Sequence, residues 1–415
     1  MAGNVLLTPD MIANEILRVL HANLTFLKKV DRQYDSSFGI KGAQIGSTLR
    51  IKKPPRYTVN TGAVISSFEG SVETVVPLTI STQKNIPIQF SSEELTLHIN
   101  DFSQQFIMPA MKQMASTVEA DVINQMIKQV PNQVGSWLSP LNAMRPVLRA
   151  GQIMTDSLAL LQDRTFMINT ASRVELIDSL KGLSESSGSI ASQYKEGVVA
   201  HVGGFDFIES TLLPTQTPAN WSGTPQVAGV TGLEGTSSIN TNGWNASQPA
   251  VNTGDILTFA NVYAVHPETK VNLGYLKQFA AAAPATADGT GAVAITLTQP
   301  FISAANNTLG GGFQNVSSLP ITGAAITVAG TPATPYGLNL AYTKESFTFA
   351  TADLVDVSND GAWCGRANID GISVRIARQW VIGTDQRPAR IDILYGCAAL
   401  YPELACRVAN VVGQP

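Results

Sequence analysis

From Pro214 to Pro335 the chain carries only six charged residues, Glu234, Asp255, Glu268, Lys270, Lys277 and Asp288. The same stretch is crowded with Gly, Thr, Asn, Ala and Pro. Short apolar runs of β character recur through it at Ile256–Phe259, Tyr275–Ala280, Ala292–Thr298 and Ala324–Val328. Turn formers separate them, among them Asp288-Gly289 and Gly310-Gly311-Gly312. A disordered linker would lack those apolar runs. The pattern predicts an all-β segment beginning near Leu213, built as a small barrel. No repeat at solenoid period stands out.

The flanking sequence has a different texture. Thr8 is suited to cap a helix, Pro9 to open it and Asp10 to complement its dipole. Met11, Ile12, Ile16, Leu17, Val19 and Leu20 then fall at helical spacing, to about Ala22. So short a helix at a terminus is marginal alone and needs something to dock on. From Gly39 to Phe90 the pattern turns to strands, at Thr48–Ile51, within Val72–Ile80 and at Ile86–Phe90. Lys52-Lys53-Pro54-Pro55-Arg56 and Asn60-Thr61-Gly62 interrupt them, as in a long hairpin or extended loop. Composition alone favours a sheet edge guarded by Lys and Pro over an arm laid across a neighbour.

Phe102–Val130 is the strongest helical segment. Ser103 can cap it, and Phe106, Ile107, Met111, Met114, Val118, Val122, Met126 and Ile127 mark its apolar face. Pro109 sits in the first turns, where it is tolerated, and Pro131 ends the helix. Roughly 27 residues at about 1.5 Å each would span about 40 Å. A helix over Pro140–Leu161, a strand at Thr165–Asn169 and a helix at Ala171–Leu180 follow, pointing to an α/β or α+β layer. Gly182–Ser192 reads as a loop, and Gly203-Gly204 as the turn before a Phe205–Ile208 strand. Beyond the charge-poor segment, Leu338–Leu354, Ile372–Val381 and Ala389–Tyr395 read as strands. The chain thus leaves one domain, builds an insertion and returns.

A length of 415 residues points to two or three domains. Charged residues make up 14% against a usual share of about 25%. Such a neutral surface is either covered by partners or belongs to a β-protein with uncharged polar faces. The net charge of −4 supplies no global basic field for nucleic acid. Three cysteines, Cys364, Cys397 and Cys406, are too few and odd for a disulfide framework; Cys397 and Cys406 read as buried free thiols in a reducing compartment. No basic segment followed by an apolar run opens the chain, and no run of roughly 18 apolar residues exists, so neither a secretory leader nor a membrane span is expected.

No catalytic set emerges. His21, His98, His201 and His266 are dispersed without metal-ligand spacing. No nucleophile elbow, P-loop or dinucleotide fingerprint is present. Glu93-Glu94 and Asp353/Asp356 read as a helix cap and solvated turn positions. The expectation is no enzyme, no cofactor and no metal.

Several runs, in order along nearly the whole chain, resemble the coat proteins of short-tailed phages, the P-twenty-two-like branch of tailed-phage major capsid proteins. They include Leu6-Leu7-Thr8-Pro9-Asp10-Met11-Ile12, Arg32-Gln33-Tyr34, Lys41–Ile51, Glu94-Leu95-Thr96-Leu97 and Asp101-Phe102. Inside the charge-poor segment, Gly254-Asp255 to Asn261-Val262 match. Near the far end stand Leu340–Thr348, Ala350–Leu354, Asp370–Arg375, Arg378-Gln379, Asp392–Gly396 and Pro402-Glu403-Leu404-Ala405-Cys406-Arg407-Val408.

The resemblance implies an α+β, HK-ninety-seven-type capsid fold with N-terminal arm, extended loop, spine helix, peripheral and axial domains, and an inserted all-β barrel domain. On this chain the arm is 1–38, the extended loop 39–81, and the peripheral domain 82–139 with its spine helix at 103–130. The axial domain is 140–212, the barrel 213–337, and 338–415 returns through the axial and peripheral domains. The resemblance also reverses the preference on the hairpin, making it an intersubunit arm. Candidate intersubunit contacts are Lys52, Lys53 and Arg56 on the hairpin and Asp10 and Glu15 on the arm. The function implied is a major capsid protein forming hexamers and pentamers of an icosahedral head around double-stranded DNA. Implied partners are copies of itself, a scaffolding protein, a portal and packaged double-stranded DNA, with a decoration protein left open and no membrane. It would be assembled in the host cytoplasm, reside in the virion and undergo shell expansion. The opening directly on the arm helix suits a separately encoded scaffold. The other readings are a non-viral compartment shell of the same fold, a host-binding β-protein and, last, an enzyme.

Overall fold

In the computed structural model, the described residues are 9–33, 47–57, 73–89, 106–135, 144–179, 201–304, 311–358, 363–369, 371–381 and 388–411. The expectations for Thr8, the Asn60-Thr61-Gly62 tip, Glu93-Glu94, His98, Ser103 and the Gly182–Ser192 loop lie outside them. Two compact units emerge, one of Met1–Ile51, Val76–Ile123 and Phe347–Leu400, the other of Lys52–Val75, Asn124–Ser346 and Tyr401–Pro415.

In the first unit the arm helix is Pro9–Asn23. Its apolar stripe, Ile12, Ala13, Ile16, Leu17, Val19 and Leu20, is buried, against the strands Trp363–Ile369 and Ile372–Arg378. Burying each such aliphatic side chain contributes roughly 1.5–3 kcal/mol, which a helix this short needs in order to persist. The strands Asp31–Gln33, Phe347–Thr351, Pro388–Ala399, Ile372–Arg378 and Trp363–Ile369 form one sheet in that order, and Thr82–Gln89 also pairs with Pro388–Ala399. Asp31–Gln33 joins in parallel; the other pairings are antiparallel. Asp392, fully buried, takes Arg375 at 2.7 Å and Arg390 at 2.5 Å. The hairpin strands Ser47–Lys53 and Thr74–Ile80 pair with each other, and Leu49, Ile51, Leu78 and Ile80 pack with Ala350, Leu394 and Ala398.

The long helix is Met108–Ile127; it stops short of the expected end at Val130, while the expected start at Ser103 lies outside the described residues. It ends in turn-type bonds, Gln129 N–H to Met126 O at 3.0 Å and Val130 N–H to Ile127 O at 3.3 Å. The ring of Pro131 excludes Val130 from helical backbone, so the helix stops before it. The methionines of its apolar face, Met111, Met114 and Met126, are core fillers.

In the second unit a seven-stranded mixed sheet runs Gln133–Gly135, Cys406–Val411, Tyr336–Tyr342, Thr165–Ile168, Phe205–Glu209 and His201–Val202, with Thr215–Gln216 also on Tyr336–Tyr342. Helices Arg145–Asp156 and Thr170–Ser179 accompany it. The first of these stops five residues short of Leu161. Leu158 adopts φ +68°, and the buried Arg164 guanidinium holds the exit loop by donating to Leu160 O at 2.6 Å, Ala159 O at 2.8 Å and Gly151 O at 3.2 Å. Gly203 and Gly204, at φ +62° and +83°, make the tight turn expected of them. Leu338–Leu354 is not one strand: Tyr336–Tyr342 and Phe347–Thr351 are separated by a short 3-10 turn at Lys344–Ser346. Thr343 N–H donates to Ser346 Oγ at 3.2 Å, and the two hydroxyls lie 3.1 Å apart. Such local hydroxyl bonds compete with the strand ladder.

After Gln216 the chain leaves this sheet and returns at Tyr336. Between them, Gly223–Gly229, Ser238–Trp244 and Val293–Thr296 form one antiparallel sheet. Asn272–Ala280, Ile256–Val265 and Ile326–Val328 form another, and Pro249–Val251 pairs with Ala285–Thr286. A single apolar core fills this inserted segment. Phe279 sits 4.4 Å from Phe301 and 5.8 Å from Phe259, ring centre to ring centre, in the offset and edge-on range that aromatic pairs favour.

Candidate functional site

The hairpin's basic run lies at the end of its first strand, Ser47–Lys53. Lys52 pairs across the hairpin with Glu73 at 2.6 Å, both side chains exposed. Lys53 alternates to the other face and sets its ammonium 4.5 Å from the centre of the Tyr401 ring. Arg56 lies 3.8 Å from Glu403 and 6.0 Å from the centre of the Phe313 ring. Its backbone carbonyl passes so close to Gly312 that a Cβ there would meet it at 2.8 Å. Lys270 completes the cluster, donating to Gly312 O at 2.7 Å and Pro267 O at 2.5 Å. All three basic side chains thus meet partners in their own chain, Lys53 half-buried, Lys52 and Arg56 exposed.

The cluster holds more cations than carboxylates, and its electrostatics register the surplus. Burial, helped by the Arg56 charge, lowers the Lys53 ammonium, while Glu403 acts against the shift. Burial and then Arg56 bring Lys270 down to about 8. Burial and then Glu403 raise the Tyr401 phenol.

On the arm helix, Asp10 is exposed, and Glu15 is held by Arg18 through two bonds of 2.7 and 2.8 Å. The docking of the arm depends on a residue that sequence reasoning missed. Glu119, on the long helix and 2% exposed, accepts from Thr25 N–H at 2.6 Å, Leu27 N–H at 3.1 Å and Thr25 Oγ1 at 3.0 Å. Burial raises its carboxyl, and the three donors oppose that. Its one sequence signal is an acid set within the apolar face of a helix. Asp121, two residues on, takes Lys84 at 2.9 Å and the Tyr395 hydroxyl at 2.9 Å. Tyr401, Phe313 and Glu73 carried no signal at all, and Glu403 appeared only inside a matching run.

The dispersed titratable groups stay dispersed. His201 pairs with Asp206 at 2.9 Å on the surface, and His266 Nδ1 accepts the turn amides of Thr269 and Glu268 at 3.2 and 3.3 Å. Asp353 accepts the Ser373 hydroxyl, and Asp356 the Ser358 amide at 2.9 Å. Among the described residues no three His, Cys, Asp or Glu side chains stand close enough to hold a metal. Cys406 is buried, whereas Cys397 is only half-buried, contrary to expectation; burial pushes both thiols up to about 12. No helix among the described residues is long and apolar enough to cross a membrane. His266 and Asp356 close local turns, and Asp353 ties its segment to the Ile372–Arg378 strand.

Over residues 1–407 the chain matches the family described as P22 coat protein, gene protein 5. No curated protein matches it. Among solved structures, one from Mycobacterium phage Che8 is similar at 11% identity and a TM-score of 0.49, over 93% of this chain and 90% of that one. The asymmetric unit of the bacteriophage PhiM1 mature capsid is similar at 10% identity and a TM-score of 0.46, over 94% and 88%. The capsid structure of the Cyanophage P-SCSP1u gives 10% identity and a TM-score of 0.44, over 92% and 87%.

Proposed function

This chain belongs to the P22 coat protein family, and from that premise we propose that it builds the icosahedral head of a tailed phage as hexamers and pentamers enclosing double-stranded DNA. A phage coat protein acts by associating with copies of itself into the virion capsid, a structural role. The observation that carries the finer reading is the family match over residues 1–407, spanning arm, hairpin, long helix and inserted segment. Heterologous contacts that close into rings generate capsomers. Many modest interfaces acting together then supply the stability of the shell.

In this reading residues 1–38 are the arm, 39–81 the extended loop, 82–139 the peripheral domain, 140–212 the axial domain and 213–337 an inserted β-barrel. Assembly takes place in the host cytoplasm around a scaffolding protein, with a portal for DNA packaging and a decoration protein as a further partner. Lys52, Lys53, Arg56, Asp10 and Glu15 are the proposed contact residues. Lys52 is foremost on the hairpin, its side chain being 69% exposed against 41% for Arg56. Exposed pairs of this kind contribute little affinity and select geometry instead. Replacing Lys52, Lys53 and Arg56 together by Ala, with assembly on scaffold followed by electron microscopy, is expected to give fewer and misshapen shells. Shells of unchanged size and yield would remove these three residues from the assembly mechanism.

A further inference from the structure

Two runs that match the family, one inside the inserted segment and one near the C-terminus, meet in the second unit. Arg407 stands on the Cys406–Val411 strand with none of its surface exposed. Its Nη1 donates to Gly254 O at 2.8 Å. The adjoining Asp255, also fully buried, accepts from Gln216 Nε2 at 2.8 Å, Asn252 N–H at 2.8 Å and Ala219 N–H at 3.1 Å. Gln216 is where the chain departs from the seven-stranded sheet, and its strand partner Tyr336 is where the chain comes back. Gly254 is required at its place: φ is +89°, and a Cβ would meet Lys128 Cγ at 2.9 Å.

The departure point at Gln216 and Ala219 is thus held by one buried acid, and the neighbouring Gly254 carbonyl by one buried guanidinium on the sheet. No bond joins the two: Arg407 Nε and Nη2 find no acceptor among the described residues, and each charge favours the other only through space. A buried charge without its opposite is strongly unfavourable, which makes such a pair a poor source of net stability and a good fixer of one arrangement. An apolar contact at the same place would tolerate sliding; converging donors on a carboxylate do not.

We propose that Arg407 and Asp255 are positioning residues that lock the inserted segment onto the seven-stranded sheet, so that each coat subunit enters assembly with that segment in one orientation. The assembly half rests on the shell-building reading above; the lock itself does not.

The test uses the full chain with Asp255→Asn, Arg407→Met and the double substitution. Hydrogen exchange read by mass spectrometry follows the departure crossing, residues 215–219, the turn docked on it, residues 252–255, and the segment's core strand, residues 256–265. Each single substitution is expected to speed exchange at the crossing and its docked turn roughly tenfold or more while the core strand keeps its protection. The double substitution is expected to recover part of the loss, because neither charge is left alone. Unchanged exchange in both single variants, or a double variant no better protected than the worse single one, overturns the lock. The second criterion still decides if Arg407→Met unfolds outright. With scaffold present, the single variants are expected to give shells of mixed size. Uniform shells from a variant with a loosened crossing overturn the assembly half. No shells from the unsubstituted chain would instead sink the shell-building reading and leave the lock standing.

Discussion

The first unit and the inserted segment both bury apolar side chains but differ in their use of charge. The first unit adds buried or half-buried acids that pin its elements. Glu119 holds the turn after the arm helix through three donors, Asp121 takes Lys84 and Tyr395, and Asp392 takes two arginines. The inserted segment has almost no charge to use and relies on a continuous apolar core around Phe259, Phe279 and Phe301. The difference teaches what each method specifies. Apolar mass supplies the larger free energy but little direction, whereas a carboxylate with set donors contributes less and fixes a register.

That contrast can be broken by substitution. Phe279→Ala removes a fully buried ring from the segment's centre and should cost about 3–5 kcal/mol, read as a lower midpoint in denaturant. A cost under about 1 kcal/mol would show that the core is not what holds this segment. Glu119→Ala orphans three donors in the first unit and should cost about 2–3 kcal/mol. It should also speed exchange at Thr25 and Leu27 more than at the long helix. Equal acceleration in both places would mean the acid serves general stability and not the seating of the arm.

The smallest effect sharpens the comparison at one of the segment's rare charges. Lys270 has a folded value of about 8 against 10.5 for the free side chain. Between those values the unfolded chain binds more protons than the folded one, so stability rises with pH across that window. The burden is fully present below about 8 and gone above 10.5. Because the ammonium is partly solvated, about 1 kcal/mol is the expected gain. Lys270→Met should flatten this rise in a series of denaturant titrations from pH 7.5 to about 10.5. A slope that survives the substitution would assign it to other groups.

Helical spacing made the arm helix and the long helix legible; Pro9 marked the start of the first and Pro131 the stop of the second. Strands with β-branched alternation, such as Ile372–Arg378, were legible too. Gly223–Gly229 and Ser238–Trp244 were not, because GTPQVAG and SINTNGW lack that alternation; their ladder partners make them strands. The hairpin run was visible as a basic patch, but Glu403, Tyr401 and Phe313 come from far along the chain. Arg407 and Asp255 were both inside matching runs, yet nothing in either run says that they meet.

By itself the sequence determined the α+β class, the charge-poor β insertion and the coat-protein family, because periodicity, composition and ordered motifs are properties of the linear chain. The tertiary structure alone decided which buried charge faces which donor, and that Lys53 and Arg56 meet Tyr401 and Glu403 from the far end of the chain while Lys52 pairs across its own hairpin with Glu73. Those outcomes depend on residues tens to hundreds of positions apart. The free energy of a polar group rests on the partner it finds and not on its neighbours in the chain.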